Sequence, residues 1–234
     1  MENDLKFETF IFISNSKFII YVLKTDTFES IYQKELLIKE NTNILNLEKL
    51  DEFLEKNIYN IEKVLGNFIE DINIIFDSQE LFNVNISTTK IFNQNTITTK
   101  SLSHPLNELK NQCNKSLQNQ KIIHMIIENY KINGQNYSSL PENINCENFS
   151  LNVKFICIPN NLFEGLKKIL KKYQIFINLI QSAEYLRKFP CNDRKNIFEV
   201  AFKLMNGHNN NEILLKKKTL KNKGFFEKFF DFFS

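Results

Sequence analysis

Two apolar runs near the start of the chain, Phe10-Ile11-Phe12-Ile13 and Phe18-Ile19-Ile20-Tyr21-Val22, are separated only by Ser14-Asn15-Ser16-Lys17. So short a polar break predicts two strands folded back on each other as a hairpin. A third strand is expected over Ile31 to Ile38. Leu47, Leu50, Leu54, Ile58, Ile61, Leu65 and Phe68 then recur at helical spacing behind Asn46, a good N-cap residue, so an amphipathic helix is expected there. A strand over Ile72 to Phe76 follows it. The order strand, strand, strand, helix, strand predicts an α/β chain, and periodicity alone leaves many α/β folds open.

A second block begins near Ser103-His104-Pro105, which reads as a helix start for Leu106 to Leu117. Strands are expected over Ile122 to Ile127 and Leu151 to Ile158, with a polar loop around Asn136 to Asn148 between them. Pro159 stops the second strand, and Leu162, Leu166, Ile169 and Leu170 mark one face of a helix from Leu162 to Tyr173. A strand over Ile175 to Ile180 completes a small α+β module. Helical patterning returns over Ala183 to Phe189 and Ile197 to Met205. Gly207-His208-Asn209-Asn210-Asn211 ends it, and a polar stretch follows.

At 234 residues and 42% hydrophobic content, the chain is long enough for a core in one large domain or two small ones. Its 23 Phe against no Trp, with only five Gly, point to a compositional drift across the whole chain, so Asn-rich and Lys-rich stretches carry little functional weight by themselves. A net charge of +3 is too small to argue for nucleic acid. Cys113, Cys146, Cys157 and Cys191 are far apart in sequence, without the close pairing of zinc sites or redox dithiols, and fit a reduced cytoplasm. Glu2 and Asp4 precede the first apolar run, unlike a secretory signal, and no apolar run approaches the ~18 residues of a membrane span. The expectation is a chain neither exported nor membrane-spanning.

No side-chain constellation points to catalysis. His124 lies in an apolar strand and is expected to be a packed, hydrogen-bonded residue, while His104 and His208 fall beside predicted helix ends. No Ser or Cys has a recognisable base partner in sequence, and the acidic residues are scattered over helix surfaces. The expectation is a non-enzyme with no catalytic, cofactor-binding or metal-binding residues, no cofactor and no small-molecule substrate.

Ile122-Ile123-His124-Met125-Ile126 followed by Tyr130-Lys131-Ile132-Asn133-Gly134-Gln135 resembles a stretch of the bacterial actin-like cell-division protein FtsA, in which an Ile-Leu-His-Val-Ile strand runs to a Val-Asp-Gly-Gln turn. Leu151-Asn152-Val153-Lys154-Phe155 looks like that family's second inserted strand. Phe10 to Lys17 sits where the family carries a Gly-Leu-Asp-Ile-Gly-Thr-Ser-Lys phosphate loop, with Phe12 in place of the acidic residue and Ser14 in place of a glycine. The acidic residue would hold a metal and its water near the phosphates, and the glycine would let the backbone approach them. No Asp-Xaa-Gly or paired-Gly segment follows Gln181 to form a second phosphate loop or an adenosine site. The resemblance implies a shortened, degenerate relative: an α/β, partial actin-like (ribonuclease H-like) lobe with an inserted α+β subdomain. Its implied divisions are a first-lobe segment over 1–102, the insertion over 103–181 and a helical return over 182–207. A Lys-rich linker over 208–223 and an amphipathic helix over 224–234 complete them.

On a helical wheel Phe225, Phe226, Phe229, Phe230, Phe232 and Phe233 fall within an arc of about 160°, with Glu227, Lys228, Asp231 and Ser234 on the rest. Lys216, Lys217, Lys218, Lys221 and Lys223 precede this segment. Such a face can cover a protein core or enter a lipid surface. The polar tether before it, and the tethered membrane-targeting helix in which FtsA proteins characteristically end, favour lipid. Each fully buried Phe contributes about 1.5 to 3 kcal/mol, and each nearby Lys about 1 kcal/mol at an anionic surface, which suits reversible docking. The expected partners are inner-membrane lipid and division proteins, FtsZ or later ones, at the cytoplasmic face of the bacterial inner membrane, with no nucleic acid. Within the superfamily a scaffold of a pilus or secretion platform is the alternative, and outside it a generic lipid-binding scaffold.

Overall fold

The computed structural model describes residues 6–39, 45–141, 144–190 and 196–215, with backbone alone over 92–95. The described residues up to 80 and from 161 to 205 form one unit of mixed α/β structure, and those from 81 to 160 and from 206 to 215 form another.

The first unit opens with the expected hairpin. β1 (Phe7–Ser14) and β2 (Lys17–Lys24) pair antiparallel, and β3 (Ser30–Leu37) extends the sheet beyond β2. α1 (Leu47–Leu65) begins where Asn46 accepts from the Lys49 amide, and it ends at Gly66, whose φ of 67° is a left-handed value that glycine adopts without a Cβ clash. Phe68, expected on the apolar face of this helix, instead lies beyond its cap and is 83% exposed. β4 (Asp71–Asp77) pairs parallel with β1, completing the predicted strand, strand, strand, helix, strand order.

After β4 the chain builds the second unit. β5 (Phe82–Thr96) is followed by α2 (Thr99–Ser116), β6 (Gln120–Ile132), β7 (Gln135–Tyr137) and β8 (Asn145–Pro159), and the sheet order is β5-β8-β6-β7. The turn between β6 and β7 uses Asn133 and Gly134 at φ 49° and 87°, the two positive values that match the twist of a two-residue hairpin. One face of this sheet forms a core with α2 around Leu106, Leu109, Tyr130, Phe149 and Phe155. α2 starts at Thr99, earlier than expected, and carries Pro105 inside it.

The chain then returns to the first unit as α3 (Asn160–Lys172), β9 (Phe176–Ser182), α4 (Ala183–Lys188) and α5 (Ile197–Met205). β9 pairs parallel with β4, giving the first sheet the order β3-β2-β1-β4-β9. This corrects the expected division into 1–102, 103–181 and 182–207. The inserted unit begins at Leu81 and ends at Asn160, because the helix and strand assigned to its far end supply a layer and the last strand of the first sheet. β5 was not expected at all.

Strand β4, paired on both sides by β1 and β9, carries one buried polar side chain. Asn73 is 0% exposed; its Nδ2 donates to Glu8 Oε2 at 2.8 Å, and Asn178 Nδ2 donates to its Oδ1 at 2.9 Å. A polar rung therefore crosses β1, β4 and β9. On the same face of the sheet Phe10, Phe12 and Tyr21 are buried against α4 and α5, with Tyr21 and Phe198 stacked at 4.3 Å.

Residues 206–215 rejoin the second unit, with Ile213 buried in its core and its amide donating to Met125 O at 2.9 Å. Ile213→Ala should therefore lower the stability of the second unit by about 2 to 4 kcal/mol. Urea unfolding followed at the second unit's tyrosines would check this, and an unchanged midpoint would mean that this segment does not complete the core.

Candidate functional site

Two places bear on function: the β1–β2 turn, where the sequence resembles a phosphate loop, and the point on β6 where the chain is held before Lys216.

In the β1–β2 turn, Ser14 satisfies the local backbone by itself. Its Oγ accepts from the Ser16 amide at 3.3 Å and the Lys17 amide at 3.0 Å, and donates to Lys17 O at 3.0 Å. Amides of this kind are the donors that a phosphate-binding turn directs outward. Here two of them are taken by a side chain of the same turn. Lys17 Nζ pairs with Glu35 at 2.9 Å, across to β3, and lies 6.0 Å from the Phe12 ring centroid. Phe12, at the position of the resembled family's acidic residue, is 4% exposed and belongs to the core under α5. The arrangement closes a turn and fills a core.

On β6, bulges decide where His124 points. Ile122 faces Cys157 and His124 faces Ile156, so Ile123 is an extra residue and the register slips by one. That slip moves His124 off the face shared by Ile122, Met125 and the α2 core. Its Nδ1 instead lies 2.6 Å from Glu212 Oε1, with both side chains buried. Around this contact Glu212 bridges Ile126, Ile127 N donates to Asn211 O at 2.8 Å, and Tyr130 Oη donates to Asn211 Oδ1 at 3.2 Å. Asn211 Nδ2 in turn donates to Ser138 O at 2.7 Å. Burial pushes the Tyr130 hydroxyl up to about 12, so it remains a donor at any physiological pH. The chain is thus fastened to β6 just before the Lys-rich stretch begins.

His124 is the packed, hydrogen-bonded residue that its setting predicted, but its partner lies 88 positions away and carries no sequence signal. His104 is 83% exposed on its side chain and lies within α2, 3.9 Å from Glu108. His208 is exposed just after α5. Cys113 and Cys157, distant in sequence, hydrogen-bond to each other in the second core, and burial pushes the Cys157 thiol up to about 12 and those of Cys113 and Cys146 above their ordinary value. Thiols held protonated in this way are poor nucleophiles. Among the described residues no group of three or more His, Cys, Asp or Glu could hold a metal ion, and no helix is long and apolar enough to cross a membrane. The expected membrane-binding residues Lys216, Lys217, Lys218, Lys221, Lys223, Phe225, Phe226, Phe229, Phe230, Phe232 and Phe233 lie outside the described residues.

No family model matches the sequence, and no curated protein matches it. Among solved structures, the chain is similar to the cytoplasmic domain of EpsL, an inner membrane component of the type II secretion system of Vibrio cholerae, at 9% identity and a TM-score of 0.42 over 79% of this chain and 60% of that one. It is similar to a chain of the PilM-PilN type IV pilus biogenesis complex at 8% identity and a TM-score of 0.46, over 76% and 48%. A third similar structure is a Bacteroides thetaiotaomicron protein with an actin-like ATPase fold and unknown function, at 13% identity and a TM-score of 0.33, over 79% and 55%. The chain spans between 48% and 60% of the length of these structures.

The fastening on β6 is open to test. Glu212→Ala leaves a buried imidazole without this acceptor and should cost about 3 kcal/mol, whereas Glu212→Gln keeps an acceptor in place and should cost less. Thermal unfolding of the two variants separates them, and equal losses would mean that the side chain acts by packing volume alone.

Proposed function

We propose that this chain is a non-catalytic peripheral-membrane adaptor built on an actin-like half, docking at the cytoplasmic face of an inner membrane and presenting its body to protein partners. The observation that carries the non-catalytic part is Ser14, whose Oγ occupies the Ser16 and Lys17 amides in the turn where a phosphate loop would bind. Phe12 stands in the core rather than at a metal. The actin-like part is supported by the element order of the first unit and by a second α/β unit inserted between β4 and α3. The membrane part is supported by the segregation of six Phe from the charged residues of 224–234 behind five Lys.

Recruitment of cell-division proteins, as in the FtsA family, is the finer reading that the motif around His124 supports. A role in a pilus or secretion platform would use the same body and the same docking segment. A midcell band of tagged protein in dividing cells supports the division reading; a polar or uniform envelope signal rejects it in favour of the platform or of a generic lipid scaffold.

Calorimetric titration of the full chain with ATP and Mg²⁺ should give no binding heat. Saturable binding would falsify the non-catalytic reading, because the amides it requires are those taken by Ser14.

Docking is expected to depend on the Phe face. Phe229→Asp together with Phe230→Asp places two charges within the apolar arc, and liposome sedimentation should fall to background while thermal unfolding of the body is unchanged. Replacing Lys216, Lys217, Lys218, Lys221 and Lys223 by Gln should weaken binding chiefly to anionic liposomes and flatten its salt dependence. A double Asp variant that still sediments but unfolds on mild heating would show the Phe face packing against protein.

A further inference from the structure

The free edge of the first sheet has an open cavity beside it. β3 is the last strand of the order β3-β2-β1-β4-β9, so among the described residues one of its edges pairs with nothing. β3 and α1 are joined at one end, where Tyr32 Oη donates to Asn57 Oδ1 at 2.8 Å. Toward the other end they leave a cavity of about 330 Å³ lined by Leu36, Leu37, Ile38 and Phe53, with Lys39, Lys49, Lys56 and Glu52 around it. Leu36 and Leu37 are 36% and 67% exposed, unusual for consecutive leucines at a strand end. Leu36 stands beside Phe18 in register, and Phe18 meets Phe53 at 6.1 Å, so the cavity opens directly onto the core between sheet and helix.

We propose that this groove binds an extended, acidic segment of a partner protein, which adds to β3 as a further strand and seats apolar side chains against Leu36, Ile38 and Phe53. Unpaired strand edges supply the backbone groups for such addition, and pockets for alternate side chains supply its selectivity. The charge of the surround selects the partner: Lys39 and Lys56 against Glu52 line the cavity, so flanking carboxylates are favoured and basic segments are opposed. This inference goes beyond the membrane reading and does not depend on it, since the groove lies wholly within the first unit and its principal test contains no lipid.

The probe is a fluorescein-labelled peptide of roughly ten residues alternating leucine and glutamate, long enough to span β3, with a second peptide carrying lysine in place of glutamate. Fluorescence anisotropy with the full chain should show saturable binding of the glutamate peptide and binding at least about tenfold weaker for the lysine peptide. Lys39→Glu together with Lys56→Glu, both at exposed positions, should reverse that preference without lowering the melting temperature. Hydrogen exchange should slow at amides of residues 30–39 when the glutamate peptide is bound. The proposal is overturned if neither peptide saturates, if both bind alike, or if the double variant leaves the preference unchanged. It is equally overturned if the double variant's only effect is loss of association with phosphatidylglycerol vesicles, which would make the edge a lipid-facing surface. Loss of a dimer as its only effect would likewise overturn the proposal, by making the edge an interface between two copies.

Discussion

Asn73 is the point on which the first unit depends. Strand β4 is otherwise apolar along its buried length, with Ile72, Ile74, Ile75 and Phe76 all buried, as expected of a parallel strand covered on both faces. An apolar strand of this kind specifies depth but not register, because neighbouring isoleucines pack about equally well one step along. The Glu8–Asn73–Asn178 rung removes that freedom: a slip on either side would bury an amide without partners. The register shift between β4 and β9 lies at Ile72 and Asn73, where the rung is made. This matters most for β9, which reaches the sheet only after the chain has built the whole of the inserted unit, and whose closure entropy must be offset by a pairing that cannot be mistaken.

What was legible in the sequence follows the same division between local and long-range information. The hairpin, α1 with its Asn46 cap, and α5 were readable because apolar period and cap chemistry are local. β5 was not. Its inward residues Val84, Ile86, Thr88 and Lys90 alternate with Asn83, Asn85, Ser87 and Thr89, so the apolar contrast is weak and fades to Thr and Lys midway. Its fit is visible only across strands, where Ser87 Oγ donates to Asn152 Oδ1 and Thr89 bonds Ser150. β9 was found as a strand but assigned to the wrong unit, since nothing in Ile175 to Ile180 records that its partner is β4. The Cys113–Cys157 contact and the Glu212 partner of His124 were illegible for the same reason.

In the second unit, bulges do the work that the polar rung does in the first. Extra residues at Ile123 and Glu128 each slip β6 by one against β8, so that Met125 and Tyr130 face the α2 core while His124 and Asn129 face the other way. His124 is thereby free to meet Glu212, and the edge of β6 beyond the short β7 is left for residues 211–213. Register, histidine and anchoring of the following chain are one device. The chain enters the Lys-rich stretch from a fixed place on the sheet.

On the reading proposed above, the β1–β2 turn keeps the architecture of the sheet without serving as a nucleotide site. A phosphate loop asks two unfavourable things of its sheet: outward-pointing amides without internal partners, and an acidic side chain near the core. In this chain stabilising contacts stand in both places. Ser14 gives the turn amides an internal acceptor, and Phe12 joins Phe10, Tyr21 and Phe198 in the aromatic packing beneath α5. Lys17, which a nucleotide would draw toward its phosphates, is engaged by Glu35 of the next strand, and thereby helps to hold β3 at the edge of the sheet. The same contacts improve the packing and pairing of the strands that present the groove beside α1, and a surface stabilised in this way suits the binding role proposed above.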